Sequence, residues 1–126
     1  SGDEVWVADN IYGPNLEHLN NLQTRYGIQV KVYNPIDIDS FTPSEKAKLI
    51  WLEAAGSVSL EFPDLKKLVK KAKQFNLLTA LDNTWGAGLA FNAFDFSDEH
   101  LVYQLRCPVS IKCTLNFEDL VEKEYK

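Results

Sequence analysis

The stretch that decides the fold is Asp64–Thr84, with the sequence DLKKLVKKAKQFNLLTALDNT. Its first half places apolar residues at helical spacing and fills the positions between them with lysines, which predicts an amphipathic helix over Asp64–Phe75. We interpret the lysines as the solvated face of this helix, in preference to an anion-binding patch. The second half is the apolar run Leu77–Leu81, which predicts a buried strand that ends at polar residues.

Strands and helices also alternate at short intervals before this stretch. Apolar runs predict the strands, and leucines at helical spacing after Pro14 predict a helix that ends at Gly27. In chain order, the predicted elements are the strand Val5–Ala8, the helix Leu16–Tyr26, the strand Ile28–Tyr33, a short helix over Ser44–Ala47 and the strand Leu49–Leu52. This alternation is typical of βαβ units, in which helices connect the strands of a parallel sheet.

The predicted fold class is therefore α/β, with a mostly parallel sheet and helices packed on it. We expect a single domain over residues 1–126, in which the α/β part covers 3–97 and a divergent β/α tail covers 98–126. Apolar and polar residues alternate over 109–117. This alternation predicts a half-exposed, antiparallel strand in the tail, added at an edge of the sheet.

Composition excludes several classes of protein. The chain has 126 residues, a formal net charge of −5 and 45% hydrophobic residues, which argues against disorder and against a nucleic-acid partner. Its apolar runs are far shorter than a membrane span needs, and its polar, acidic start does not resemble a signal peptide. We therefore expect a cytoplasmic protein with no membrane partner and no metal site, in which Cys107 and Cys113 are reduced.

Polar and small residues follow three of the predicted strands, in the segments Asp9-Asn10, Glu53–Ser57 and Asp82–Thr84. Parallel sheets bind ligands beyond the carboxyl ends of their strands, so we expect these segments to lie along one edge of the sheet. Asp82 has two open interpretations. Its carboxylate either caps the turn that follows, or it pairs with a cationic ring nitrogen, as the cofactor of a pyridoxal phosphate enzyme requires.

Three segments carry a resemblance to a known family. In chain order, residues 9–14 (DNIYGP), 53–57 (EAAGS) and 81–91 (LDNTWGAGLAF) resemble the pyridoxal-phosphate-dependent enzymes of cysteine and methionine metabolism, and within them the cystathionine β-lyases. The resemblance covers residues 3–96. It implies part of the large domain of that fold, and α,β-elimination from a sulfur amino acid with release of a thiol, ammonia and pyruvate. Ala55 departs from the family, which usually has proline there.

The resemblance assigns four residues to pyridoxal phosphate. Tyr12 matches the aromatic ring that stacks on the pyridine ring, and Asp82 matches the acid that pairs with the pyridine nitrogen. Ser57 lies where the family places a polar group near the 3-hydroxyl of the cofactor, and Thr84 helps to shape the pocket.

A weaker similarity concerns the tail. Residues 111–120 (IKCTLNFEDL) are similar to a stretch near the family's C-terminus, in which an arginine binds the substrate carboxylate. Lys112 would replace that arginine as a substrate-binding residue if an internal deletion had joined two parts of an enzyme. The alternative, which we favour, is a tail unrelated to the family.

Two parts of the family's site are absent from these residues. The lysine that binds the cofactor covalently usually stands in a Thr-Lys-Tyr segment, and no such segment follows Phe96. The phosphate-binding loop precedes the first strand in the family. We therefore expect a truncated or split cystathionine β-lyase-like domain with no catalytic residue of its own. We expect it to be inactive alone. We also expect it to keep contacts to the pyridoxal phosphate ring but to lack the covalent anchor and most contacts to the phosphate.

The alternative is a non-catalytic interaction or regulatory module, or an artificially recombined scaffold, derived from the same fold. A domain cut from a larger core exposes apolar surface, so self-association or a complementary chain is the expected partner. The aromatic residues proposed for that surface are Trp85, Phe91, Phe94 and Phe96.

Overall fold

A computed structural model describes residues 2–86, 90, 91, 93–96 and 102–105. The strands are β1 (Glu4–Ala8), β2 (Gln29–Tyr33), β3 (Ala47–Glu53), β4 (Leu78–Asp82) and β5 (Val102–Leu105), the α-helices are α1 (Gly13–Tyr26) and α2 (Leu65–Gln74), and short 3-10 helices cover Ile38–Ser40 and Ala93–Phe96. The predicted long helices and the strands before residue 97 are therefore confirmed.

The five strands form one sheet in the order β2-β1-β3-β4-β5. Every neighbouring pair is parallel, which confirms the predicted sheet. The register pairs Val7 with Trp51, and Trp51 in turn with Ala80, so the middle of the sheet is apolar across three strands. Strands buried on both faces carry near-continuous apolar runs, and the strands β1, β3 and β4 follow this rule.

Helix α1 covers one face of the sheet. Pro14 lies in its first turn, and Gly27 ends the helix in the left-handed conformation with φ 69°, where glycine has no side chain to strain. Leu19 of α1 packs with Val7, Trp51 and Ala80. This face therefore carries a small apolar cluster beneath a single helix.

Helix α2 covers the opposite face. The Asp64 carboxylate accepts a hydrogen bond from the backbone N–H of Lys67 at 3.1 Å and so caps the start of the helix. Of the five residues predicted for the apolar stripe, four are buried against the sheet, namely Leu65, Leu68, Val69 and Ala72. The fifth, Phe75, lies at the C-cap and is 47% exposed. Burying one such leucine stabilises the fold by about 1.5–3 kcal/mol. Lys71 is half-buried, and its Nζ donates to the carbonyl of Ile38 at 2.8 Å.

One prediction about local structure is wrong. Residues Ser44–Ala47 form a single turn, closed by a hydrogen bond from the N–H of Ala47 to the carbonyl of Ser44, because Ala47 already pairs with Glu4 in the sheet. The tail contributes the strand β5, which lies at an edge of the sheet, as expected, and is parallel to β4.

Other parts of the tail cannot be compared with the structure. The alternating segment 109–117, Cys107 and Lys112 lie outside the described residues. Among the residues that the structure does describe, no helix has both the length and the apolar character that crossing a membrane requires.

Candidate functional site

The strand order opens a crevice between β1 and β3. The chain leaves β1 through α1 on one face to reach β2, and it leaves β3 through α2 on the other face to reach β4. The two connections thus run in opposite directions from neighbouring strands, and parallel α/β sheets bind ligands at such switch points. Residues 9–12, 53–57 and 82–86 lie at or just after the carboxyl ends of β1, β3 and β4, and we refer to them together as the carboxyl edge. The predicted placement of these segments along one edge is confirmed.

Glu53 is the buried acid of the carboxyl edge. Its side chain is 4% exposed and lies at the last position of β3, in register with Asp82 of β4. The Oε1 atom accepts a hydrogen bond from the indole Nε1 of Trp51 at 3.0 Å and another from the backbone N–H of Tyr12 at 3.3 Å. One carboxyl group therefore joins the end of β3 to the residue that precedes α1.

The surroundings of Glu53 favour its neutral form. Burial and then the neighbouring Asp82 raise the pKa of Glu53 to about 7, although the hydrogen bonds from Trp51 and Tyr12 oppose this shift. Burial, with the charges of Glu53 and Asp9, also raises the pKa of the Tyr33 hydroxyl far above its ordinary value. That hydroxyl donates to the carbonyl of Trp51 at 3.1 Å and stays neutral.

Tyr12 provides an exposed aromatic ring beside this acid. Its side chain is 45% exposed, although its backbone is held on both sides. The N–H donates to Glu53, and the carbonyl accepts from the N–H groups of Asn15 and Leu16 in the first turn of α1. The backbone of Tyr12 is thus fixed at the carboxyl edge, and its side chain is partly open to solvent.

Asp82 and Thr84 form a compact turn at the end of β4. The Oδ1 atom of Asp82 accepts a hydrogen bond from the backbone N–H of Thr84 at 3.0 Å and a second, short one from its hydroxyl. Oδ1 of Asp82 therefore caps the turn after β4, as the first of the two interpretations predicts. Pairing with a ring nitrogen is compatible with this arrangement, because a carboxylate has two oxygens and about four acceptor positions.

The loop after β3 is folded onto the end of β1. The N–H of Ser57 donates to the carbonyl of Asn10 at 3.1 Å, and the amide Nδ2 of Asn10 donates to Glu61 Oε2 at 3.1 Å. Gly56 allows this approach, because a Cβ at that position would lie 2.1 Å from Asn10 Nδ2. Ser57 is consequently held beside the crevice and is half-buried.

The side-chain amide of Asn83, a second asparagine at this edge, has no hydrogen-bond partner in the described part of the chain. Asn83 is fully buried, and both its Oδ1 and its Nδ2 lack a partner there. Gly86 packs directly against it, with a hypothetical Cβ 2.1 Å from Oδ1. Buried polar groups in folded proteins are normally paired, so Asn83 is an exception at the end of β4.

The structure gathers most of the predicted site residues and adds one. Tyr12 and Asp82 are brought to the same crevice, where Glu53 lies between them, and Thr84 contacts Asp82 directly. Sequence reasoning misses the role of Glu53, although the spacing Trp51-Leu52-Glu53 offers a signal, because residues two apart on a strand share a face.

Comparison with known proteins identifies the fold and its family. The sequence profile described as Cys/Met metabolism PLP-dependent enzyme matches residues 1–104. A cystathionine β-lyase of Bordetella avium is 37% identical over 92 residues, which are 72% of this chain and 23% of that protein. A cystathionine β-lyase of Haemophilus influenzae is 31% identical over 100 residues, which are 75% of this chain and 25% of that protein.

Solved structures agree with this assignment at the level of the fold. The crystal structure of cystathionine γ-lyase from Lactobacillus plantarum, complexed with L-serine, matches with a TM-score of 0.72 at 21% identity and covers 76% of this chain and 26% of that one. The chain spans about a quarter of the length of these relatives. Because the family profile covers most of the chain, this protein belongs to the pyridoxal-phosphate-dependent enzymes of cysteine and methionine metabolism.

Proposed function

We propose that this chain is the central part of the cofactor-binding domain of a cystathionine β-lyase-like enzyme and that its carboxyl edge holds the ring of pyridoxal phosphate. The observation that carries the proposal is the convergence of Tyr12, Glu53 and Asp82 at the switch point of the sheet. Its cystathionine β-lyase relatives, 31% and 37% identical, support the choice of reaction.

The chemistry of these side chains fits that ring. The exposed face of Tyr12 is a stacking surface, the carboxylate of Asp82 is a partner for a cationic nitrogen, and Ser57 offers a hydroxyl nearby. The four residues that the resemblance assigns to the cofactor thus remain our proposal for its ring contacts.

The cofactor, when bound, acts as an electron sink through its protonated pyridine ring. In our proposal Asp82 keeps the proton on that nitrogen, while Tyr12 orients the ring against the sheet. A β-elimination also needs a lysine that these 126 residues do not place in a Thr-Lys-Tyr segment. We therefore propose that β-elimination depends on a lysine and a phosphate-binding loop supplied by further residues or by a complementary chain.

Calorimetric titration with pyridoxamine phosphate tests the ring contacts. This probe has no aldehyde, so it does not react with the surface lysines of α2. We expect binding by the wild-type chain, a loss of at least tenfold in affinity for Asp82→Ala, and no change for the matched control Asp3→Asn, which removes an exposed charge at the other end of the sheet. Binding that is equally tight without Asp82 would contradict the proposal.

A second assay tests the missing lysine. With pyridoxal phosphate and cystathionine added to this chain alone, we expect no release of pyruvate above the level of free cofactor. Sustained turnover, measured by a coupled lactate dehydrogenase assay, would show that this chain suffices for the reaction and would contradict this part of the proposal.

A role in association is a second candidate function. Large apolar side chains are exposed at the carboxyl edge and in the loop after it, with Val58 91%, Phe62 59% and Trp85 65% exposed. Exposed apolar groups of this kind mark interaction surfaces. Phe91, also predicted for this surface, is half-buried: its ring contacts that of Phe62, and it packs against the core cluster that includes α2. Light scattering after size-exclusion chromatography tests the proposal. We expect the wild-type chain to self-associate and the double variant Val58→Ser with Phe62→Ser to be shifted towards the monomer.

A further inference from the structure

We infer that Glu53 is a positioning residue, which holds Tyr12 at the start of α1 and responds through its own proton to the charge present at Asp82. The inference deepens the proposed function and rests on it, because the charge expected at Asp82 is that of a cationic ring. Nothing in the family resemblance assigns a role to this glutamate, and its position in the fold carries the inference.

The tether to Tyr12 is the first part of the argument. Glu53 Oε1 is shared between the indole N–H of Trp51 at 3.0 Å and the backbone N–H of Tyr12 at 3.3 Å. The indole fixes the carboxyl group on the α1 face of the sheet, so the carboxyl group in turn fixes Tyr12. A charged acceptor makes these hydrogen bonds stronger than a neutral one does, so the charge of Glu53 sets how firmly Tyr12 is held.

The charges around Glu53 are the second part. Asp82 faces it from β4, Tyr33 lies near it from β2, and the first turn of α1 contains no acidic residue. In the described part of the chain, no lysine, arginine or histidine forms an ion pair with Glu53. The partial positive charge at the start of α1 favours the anion, while Asp82 and burial oppose it.

A cation at Asp82 shifts this balance towards the anion. It compensates the charge of Asp82 but leaves the burial of Glu53 in place, so the fraction of Glu53 that is protonated loses part of its protons to solvent, and the cation itself is unchanged. The hydrogen bond to Tyr12 strengthens in the same step. Occupation of the crevice and the hold on Tyr12 are therefore coupled through release of the Glu53 proton.

A pH titration of the unliganded chain tests the tether. In nitrogen–proton NMR spectra, the Tyr12 amide and the Trp51 indole resonances should move with a common midpoint near neutral pH. Glu53→Gln keeps a carbonyl acceptor in the same place, so it should keep both hydrogen bonds and remove the titration. Resonances that titrate equally in Glu53→Gln, or that have different midpoints in the wild-type chain, would overturn the inference.

The coupling to Asp82 can be tested without any ligand. Asp82→Asn removes the opposing charge and should lower the common midpoint by about one pH unit, a tenfold change in proton affinity. Thr84→Val, which leaves the charge of Asp82 in place, is the control and should change the midpoint little. An unchanged midpoint in Asp82→Asn would overturn the coupling.

Pyridoxamine phosphate then separates this inference from the proposed function. Calorimetry near neutral pH, in buffers of different ionisation enthalpy, should record about half a proton fewer released by Glu53→Gln than by the wild-type chain, as a shift of about one pH unit requires. Equal proton release would overturn the coupling. If neither chain binds the probe, the proposed function fails, whereas the NMR titrations still decide the role of Glu53.

Discussion

The two ends of the sheet carry the same small motif in opposite settings. At the amino end of β1, Glu4 accepts a hydrogen bond at 3.2 Å from the indole of Trp6 on the same strand. At the carboxyl end of β3, Glu53 accepts one at 3.0 Å from the indole of Trp51. Both glutamates are buried, and in both cases the tryptophan lies two residues away.

The difference lies in the neighbours. Burial opposes ionisation of Glu4, but hydrogen bonds from Ser44 and Trp6 and the charge of Lys31 outweigh it and lower the pKa. Burial and Asp82 instead raise the pKa of Glu53 to about 7. The same local motif therefore has a lowered glutamate pKa at one end of the sheet and a raised one at the other.

The largest expected effect is on the pH dependence of stability. For Glu53, the folded pKa of about 7 exceeds the ordinary value of 4.5, so the folded state binds the extra proton and loses stability as the pH rises through this window. Glu53→Gln removes this loss. The unfolding free energy of the variant minus that of the wild-type chain should therefore increase with pH, by up to about 3 kcal/mol from below the window to above it. Urea denaturation across the window measures this difference.

Glu4→Gln is the matched change and should have the opposite sign. A lowered folded pKa contributes stability above the ordinary value of 4.5, and this contribution is lost as the pH falls. The variant should therefore be less stable than the wild-type chain near neutral pH and approach it in acid. Stability curves of the two variants with the same sign would remove the distinction between the two ends.

The indoles provide the next comparison. In Trp51→Phe, the N–H of Tyr12 is the remaining hydrogen-bond donor to Glu53 among the described contacts. In Trp6→Phe, the hydrogen bonds from Ser44 and the charge of Lys31 still stabilise the Glu4 carboxylate. We expect a loss of about 2 kcal/mol for Trp51→Phe and about half of that for Trp6→Phe, at a pH where both acids are ionised. Chemical denaturation followed by circular dichroism measures both, and equal losses would argue against the difference in neighbours.

Close packing at the carboxyl edge can be tested with glycine. Gly56→Ala places a Cβ 2.1 Å from Asn10 Nδ2, so the loop must move, at a cost of about 1–2 kcal/mol. Gly13→Ala is the control, because nothing lies within 4 Å of its Cβ position. Thermal unfolding compares the two variants. Similar melting temperatures would indicate that the loop after β3 is less tightly held than its contacts suggest.

The smallest effect concerns the turn after β4. Thr84→Val removes the hydroxyl that donates to Asp82 and keeps the backbone N–H contact. We expect a loss of about 1 kcal/mol or less in unfolding free energy, together with weaker binding of pyridoxamine phosphate. Thr24→Val, which removes an exposed helical hydroxyl that donates to a main-chain carbonyl, is the control for the substitution itself.

The sequence predicts the layers of this fold because local pattern and burial agree there. The apolar stripe of α2 is buried as predicted except at its last residue, Phe75, and Asp64 caps the helix that it is predicted to begin. The pattern is misleading at Ser44–Ala47, where a helix-like start is overridden by pairing of Ala47 with Glu4. Pairing with a distant strand leaves no trace in four residues of sequence.

The site is predictable in outline for a related reason. Parallel strands bring their carboxyl ends together, so the sequence alone places Asp9, Glu53 and Asp82 along one edge. The function of Glu53 depends on two further facts, its register with Asp82 and its hydrogen bond to Tyr12, 41 residues away in the chain. Both are tertiary relations that composition and periodicity do not encode.

The strand order also has a consequence for how the chain folds. The first strand, β1, lies between β2 and β3, so Glu4 pairs with Gln29 on one side and with Ala47 on the other. No strand pair in the described sheet is a hairpin, and each contact closes a long loop. Chains with such non-local pairings fold slowly, on a scale of about milliseconds to seconds. During synthesis, β1 therefore leaves the ribosome with both edges open and gains its second partner only when residues near Ala47 have followed.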